Sequence, residues 1–225
     1  FTDVSPIMLP PAPKQTYIDF YVDEEGASGS KFENEKRLQA NYEAEVKVYR
    51  ALERLEEKIL VLHGFDYSHH QYRLCDTDHA RKNCVKCKNA ANKEAECDFI
   101  VSGRNYFVII EVKNIPHDKD TGITDAKKRE IAGALTKSRE QSKKVKVLIE
   151  SISKGTGSVM CQILQFSAFP STGRDLISDV DCKNQIMCEE DLFDFRSWWQ
   201  DNVAGKVIAN NETDVDLAKH EEVKE

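Results

Sequence analysis

Apolar positions recur at helical spacing in two long stretches of the chain. Leu38, Tyr42, Val48, Tyr49, Leu52, Leu55 and Ile59 form one stripe, predicting a helix over 31–58. Ala134, Ser138, Gln141, Val145, Leu148 and Ile152 form a second stripe within a predicted helix over 125–151. Between them the pattern changes to short apolar runs. Residues 97–102 and 106–113 read as two strands joined by a Ser-Gly-Arg-Asn turn, the strongest hairpin signal in the chain. Shorter strand-like runs fall at 17–22, 59–62, 71–74, 158–169 and 185–188, and an amphipathic helix carrying Phe193, Phe195, Trp198 and Trp199 is predicted over 191–203. Helices and strands in this order imply an α/β (α+β) fold, a mixed β-sheet flanked by helices.

Outside these elements the sequence gives boundaries. Residues 1–30 open with Pro6, Pro10, Pro11 and Pro13 and read as an extended arm or linker; 31–205 hold the folded domain; 206–225 form a polar tail. The first residue is Phe1, which suggests a piece of a longer parent chain. No stretch approaches the ~18 apolar residues of a spanning helix, so a membrane partner is not expected.

Charge sharpens this reading. The net charge is -7, yet residues 79–154 carry 17 Lys and Arg against 10 Asp and Glu. The remainder carries 15 against 29. A basic middle inside an acidic chain suits a polyanionic partner. Lys127, Lys128, Lys137, Lys143 and Lys144 crowd the second helix and are candidate phosphate contacts; a solvated helix face is the alternative. The aromatic residues of the last helix suit base stacking, but their helical spacing favours a core role.

The seven cysteines are odd in number, and four fall between Cys75 and Cys97. This argues for a reducing, intracellular compartment, cytoplasm or nucleus, and against a disulfide scaffold. Cys75, His79, Cys84 and Cys87 have spacing suited to a structural zinc within a Cys/His-rich insertion over 75–97. The alternative is a reduced loop with free thiols. Cys97 is a rival ligand, but alternation with Asp98 turns it away from the site and into the core. His63, His69 and His70 read as surface or strand-edge residues.

The chemistry concentrates in the hairpin. Asp98 ends one apolar strand, and Glu111 and Lys113 share a face of the next. Ionisable groups in such strands are expensive to bury without a task. Adjacent carboxylates repel each other, and a hard divalent cation, Mg2+ or Mn2+, relieves that repulsion. Such an ion polarises a phosphodiester and acidifies a bound water, which Lys113 is placed to orient. The plainer alternative is a hairpin with a Glu111–Lys113 ion pair.

Asp98 followed by Glu111-Val112-Lys113 resembles the PD-(D/E)xK nuclease superfamily. The surrounding Glu96-Cys97-Asp98-Phe99-Ile100-Val101 and Val108-Ile109-Ile110-Glu111-Val112-Lys113-Asn114 are most similar to its nuclease-related-domain branch. In that branch a preceding helix supplies a glutamate before a Val-Tyr-Arg-Ala-Leu-like run. Here Ala44-Glu45 precedes Val48-Tyr49-Arg50-Ala51-Leu52, and Glu45 independently falls on the apolar stripe. The resemblance also implies a glutamine on the helix after the lysine strand, which Gln141 matches. It covers about 31–169 and departs at the usual proline before the aspartate, replaced by Glu96-Cys97, and at the insertion before Asp98.

The resemblance implies a restriction-endonuclease-like fold and a metal-dependent nuclease acting on DNA or RNA. Asp98, Glu111 and Glu45 would hold Mg2+ or Mn2+, Lys113 would orient the attacking water, and Gln141 would position water or phosphate. Two other readings are an inactive nucleic-acid-binding module of this fold and a zinc-stapled interaction or oligomerisation domain. A homo-oligomer and further domains of a parent chain are compatible with all three.

Overall fold

In the computed structural model the described residues are 6–9, 31–66, 96–115, 124–155, 161–177 and 185–207. The expected strands over 17–22 and 71–74, the Cys75, His79, Cys84 and Cys87 cluster, His69, His70 and the tail beyond Val207 lie outside them.

The described residues form a six-stranded mixed sheet whose spatial order follows the chain. The strands are β1 (Ile7–Leu9), β2 (Leu60–Asp66), β3 (Glu96–Ser102), β4 (Tyr106–Val112), β5 (Gln162–Ala168) and β6 (Ile186–Met187). β2, β3 and β4 pair antiparallel; β1 on β2, β5 on β4 and β6 on β5 pair parallel. The fold class is the α/β one that the sequence predicts.

Helix α1 (Lys31–Glu53) covers one face together with α3 (Glu189–Phe193) and α4 (Phe195–Trp199). Val48, Leu52, Trp198 and Trp199 pack there against Val61, Phe99, Val108 and Ile110. Helix α2 (Asp125–Gly155) covers the other face. Its last turns set Val145, Leu148 and Ile149 on Ile100 and Ile109, and its first turns set Ile131 and Leu135 on Phe169 and Ile186. Burying apolar stripes on both faces of a β-branched sheet supplies the main driving force for folding.

Several boundaries move. The proline-rich lead contributes β1, held parallel to β2 with Ile7 opposite Leu60. α1 stops at Glu53 rather than 58, and α2 runs on to Gly155. The last helix is broken at Asp194, whose carboxylate caps α4 by accepting from the Ser197 amide at 3.4 Å. It then continues through a π-helical turn, Gln200–Ala204. Phe195, Trp198 and Trp199 are buried and only Phe193 is exposed, so three of the four aromatics serve the core and are unavailable to stack on bases.

Candidate active site

Three of the predicted residues sit where β3 and β4 part. The ladder between them pairs Phe99 with Ile110, and its next position sets Asp98 opposite Glu111. There the strands no longer bond to each other: the Val112 amide donates instead to Asp98 Oδ2 at 2.6 Å. The Lys113 amide donates to the Ala168 carbonyl at 2.8 Å, which ties the end of β4 to β5. Across the sheet, Gly64 of β2 falls between the pairs His63–Phe99 and Phe65–Cys97, facing Asp98. Its backbone is left-handed, with φ of 60°, a conformation that glycine adopts without a Cβ clash. Strict alternation fails at this point. Cys97 packs with Ile100 and Ile109 on the α2 side, so it is buried as expected but does not turn away from Glu111.

Glu111 is fully buried, at 0 % exposure. Neither of its carboxylate oxygens has a hydrogen-bond partner. Lys113 Nζ stands 3.5 Å from Oε2, an ion-pair distance. The neighbouring Cys97 thiol is committed to the Phe99 carbonyl at 3.4 Å. Burial, followed by the charge of Asp98, holds the Glu111 carboxyl well above its ordinary range, and Lys113 only partly offsets them. Asp98 is raised in the same way, by burial and then by Glu45, against the pull of Lys113 and the Val112 amide. Asp98 raises Glu111, and Glu45 raises Asp98, so the carboxylates gathered here are short of positive charge.

Glu45, Asp98 and Lys113 line one cavity of about 550 Å3, with Asn41, Asn114 and Lys137 on its walls. Arg129 and Glu130 also contribute to it. Glu111, fully buried, is not part of the lining but is close enough to Asp98 to be raised by its charge. One oxygen of Glu45, Oε2, is bound to His63 Nε2 at 3.0 Å, and the Glu45 charge acts on Asp98. Among the described residues no group of three or more His, Cys, Asp or Glu side chains is arranged to hold a metal. Two carboxylates, with water and substrate oxygens completing the shell, nevertheless suit Mg2+ or Mn2+, and the oxygens of Glu111, which accept no hydrogen bond, fit such an ion.

Gln141 lies outside the cavity lining, whereas Lys137, one turn earlier on α2, is part of it. Of the other expected phosphate contacts, Lys127 is paired with Glu130 at 2.9 Å. Lys128 and Lys144 are exposed, and Lys143 lines a separate cavity. His63 was legible only as a strand-edge histidine. In the fold its ring lies 4.8 Å from that of Phe99 and orients Glu45; no sequence spacing signals an 18-residue contact of this kind.

The sequence profile of the nuclease-related domain family matches residues 40–164, more than half of the chain. The chain belongs to the nuclease-related domain family. That span holds α1 from its middle, β2 to β4, α2 and the first part of β5, and so every residue placed at the site. No curated protein and no solved structure matches the chain. Membership gives the domain a nuclease-related function with nucleic acid as the partner it implies. No helix among the described residues is long and apolar enough to cross a membrane.

Proposed function

We propose that this nuclease-related domain hydrolyses phosphodiester bonds in DNA or RNA with the help of Mg2+ or Mn2+. The observation that carries the reading is Glu111: a fully buried carboxylate with no hydrogen bond at either oxygen, met only by the Lys113 ammonium at 3.5 Å, beside a second raised carboxylate. An ion pair with Lys113 alone does not account for this pair, because one ammonium at 3.5 Å faces two acids.

Asp98 and Glu111 would hold the ion, which supplies a Lewis acid for the phosphate and lowers the pKa of bound water. The protein's own part is positioning. Asp98 is fixed by the Val112 amide. Lys113 projects from the end of β4 into the cavity, where its ammonium is placed to orient water and to meet charge developing on the phosphate. Glu45, held by His63, lines the same cavity and is placed to bind the ion's water rather than the ion.

The reading is checked by incubating the protein with single- and double-stranded DNA and with RNA in Mn2+. Cleavage by the parent is expected to fall at least ~100-fold in Lys113→Ala and in Asp98→Asn, the scale of losing a positioned acid–base group, with unchanged circular dichroism. A parent that binds these substrates in a salt-dependent way but cuts none would select the inactive binding module. Mutants as active as the parent would place the chemistry elsewhere.

A further inference from the structure

The buried face of α2 is apolar at both ends and polar in between. Ser138 and Ser142 occupy buried positions between the Ile131–Leu135 turns and the Val145–Ile149 turns. Ser138 Oγ and Ser167 Oγ of β5 are 2.6 Å apart in this seam. Ser167 is the register partner of Glu111, so the seam continues from the active site across the sheet.

Along the seam lies a second cavity, of about 360 Å3, lined by Arg139, Ser142, Lys143, Gln165, Ser167 and Gln185, with Phe166 completing its wall. Its charged lining residues are both cations and no carboxylate lines it. Two donors carried by these residues have no acceptor: Arg139 Nε and Gln165 Nε2 are buried and unpartnered. Buried donors in native folds almost always find an acceptor. Two cations, two amides and two hydroxyls around one space match a ligand that is anionic and presents several oxygens.

We propose that this cavity is a phosphate subsite, which holds a non-scissile phosphate of the nucleic-acid strand bound at Asp98, Glu111 and Lys113. The inference rests on the nucleic-acid reading above and adds to it the residues that fix the strand. Lys137 faces the first cavity and Lys143 the second; the offset along α2 is ~9 Å. Phosphates recur every ~3.4 Å of axis along a duplex strand, so an offset of this size is within the reach of a few nucleotides, and one strand would occupy both cavities. Arg139 and Lys143 would bind its phosphate, and the Gln165 and Gln185 amides would add neutral donors. Such contacts set register and affinity without reading sequence.

The test uses the metal-free, 15N-labelled chain and follows the Arg139 Nε–H and Gln165 side-chain amide signals. Inorganic phosphate and, separately, a single-stranded eight-nucleotide DNA or RNA are expected to move both signals, the oligonucleotide at the lower concentration. In an Asp98→Asn background, Arg139→Gln with Lys143→Gln should weaken oligonucleotide binding roughly tenfold and lower the slope of log affinity against log salt by ~0.7. Lys143→Gln alone, at an exposed position, serves if the pair fails to fold. Signals unmoved by either ligand, or a variant with the parent's affinity and slope, would overturn the proposal. Signals moved by phosphate alone would also overturn it, leaving a free-anion site. Neither readout requires cleavage, so an inactive parent that shows these shifts loses the hydrolase reading and keeps the subsite.

Discussion

Glu111 concentrates the residue-scale physics. Asp98 is pushed up to about 7 and Glu111 to about 8, against ~4 for ordinary carboxyls of an unfolded chain. Between those limits the folded protein binds more protons than the unfolded one, so its stability falls as pH rises. The metal-free melting temperature should therefore be lower at about pH 8.5 than at about pH 5.5. Glu111→Gln should flatten that profile and stabilise the metal-free protein at the higher pH by about 1–3 kcal/mol, because it removes a buried charge that Lys113 only partly compensates. Thermal melts across this range check both statements. A parent profile without slope would contradict the account of two uncompensated carboxylates. Asp98, Glu111 and Lys113 were legible in the sequence because strand alternation and a tight turn leave few ways to align two short strands. His63 was not, because its role comes from α1 lying over β2.

At the scale of elements, the site depends on where the strands cease to be regular. Asp98 reaches the Val112 amide only because the β3–β4 ladder ends at Phe99, and Gly64 allows the facing strand to bend there. A Cβ at Gly64 would approach Glu96 Oε1 to 3.0 Å at a left-handed φ. Gly64→Ala should thus cost about 1–2 kcal/mol in urea unfolding and weaken metal binding by displacing Asp98. Unchanged stability would show that the bend is not required. Such irregularities leave little trace in a hydrophobic pattern, which is why alternation misplaced Cys97. Gln141 falls outside the lining of the active cavity for a related reason. The stripe of α2 follows the buried face at Ser138, Val145 and Leu148, but its last member, Ile152, is exposed. It did not show that the active cavity ends near Lys137 and that a second one begins at Arg139. β1 escaped notice because three residues in a proline-rich lead carry no period, and their pairing with β2 crosses about half a hundred residues of chain.

The whole molecule is a sheet clamped between two helical layers of different character. The α1 side, closed by Trp198 and Trp199, is the larger apolar core. The α2 side is divided into two smaller clusters by a polar seam that contains Glu111, Ser138 and Ser167. That seam weakens the core where the proposed chemistry lies, a usual place for a fold to depart from its own packing rules. The first cavity mixes carboxylates (Glu45, Asp98, Glu130) with cations (Lys113, Arg129, Lys137), whereas the charged residues of the second are cations alone. This separation suits a polyanion that needs a bound metal ion at one phosphate and direct cationic contacts at another. The central claim is that the carboxylates at the end of β3 and β4 form a cation site. Calorimetric titration of the metal-free protein with Mn2+ tests it most directly. Saturable binding of one ion per chain, abolished by Asp98→Asn, is expected. No binding, or binding of the same affinity in Asp98→Asn, would contradict it.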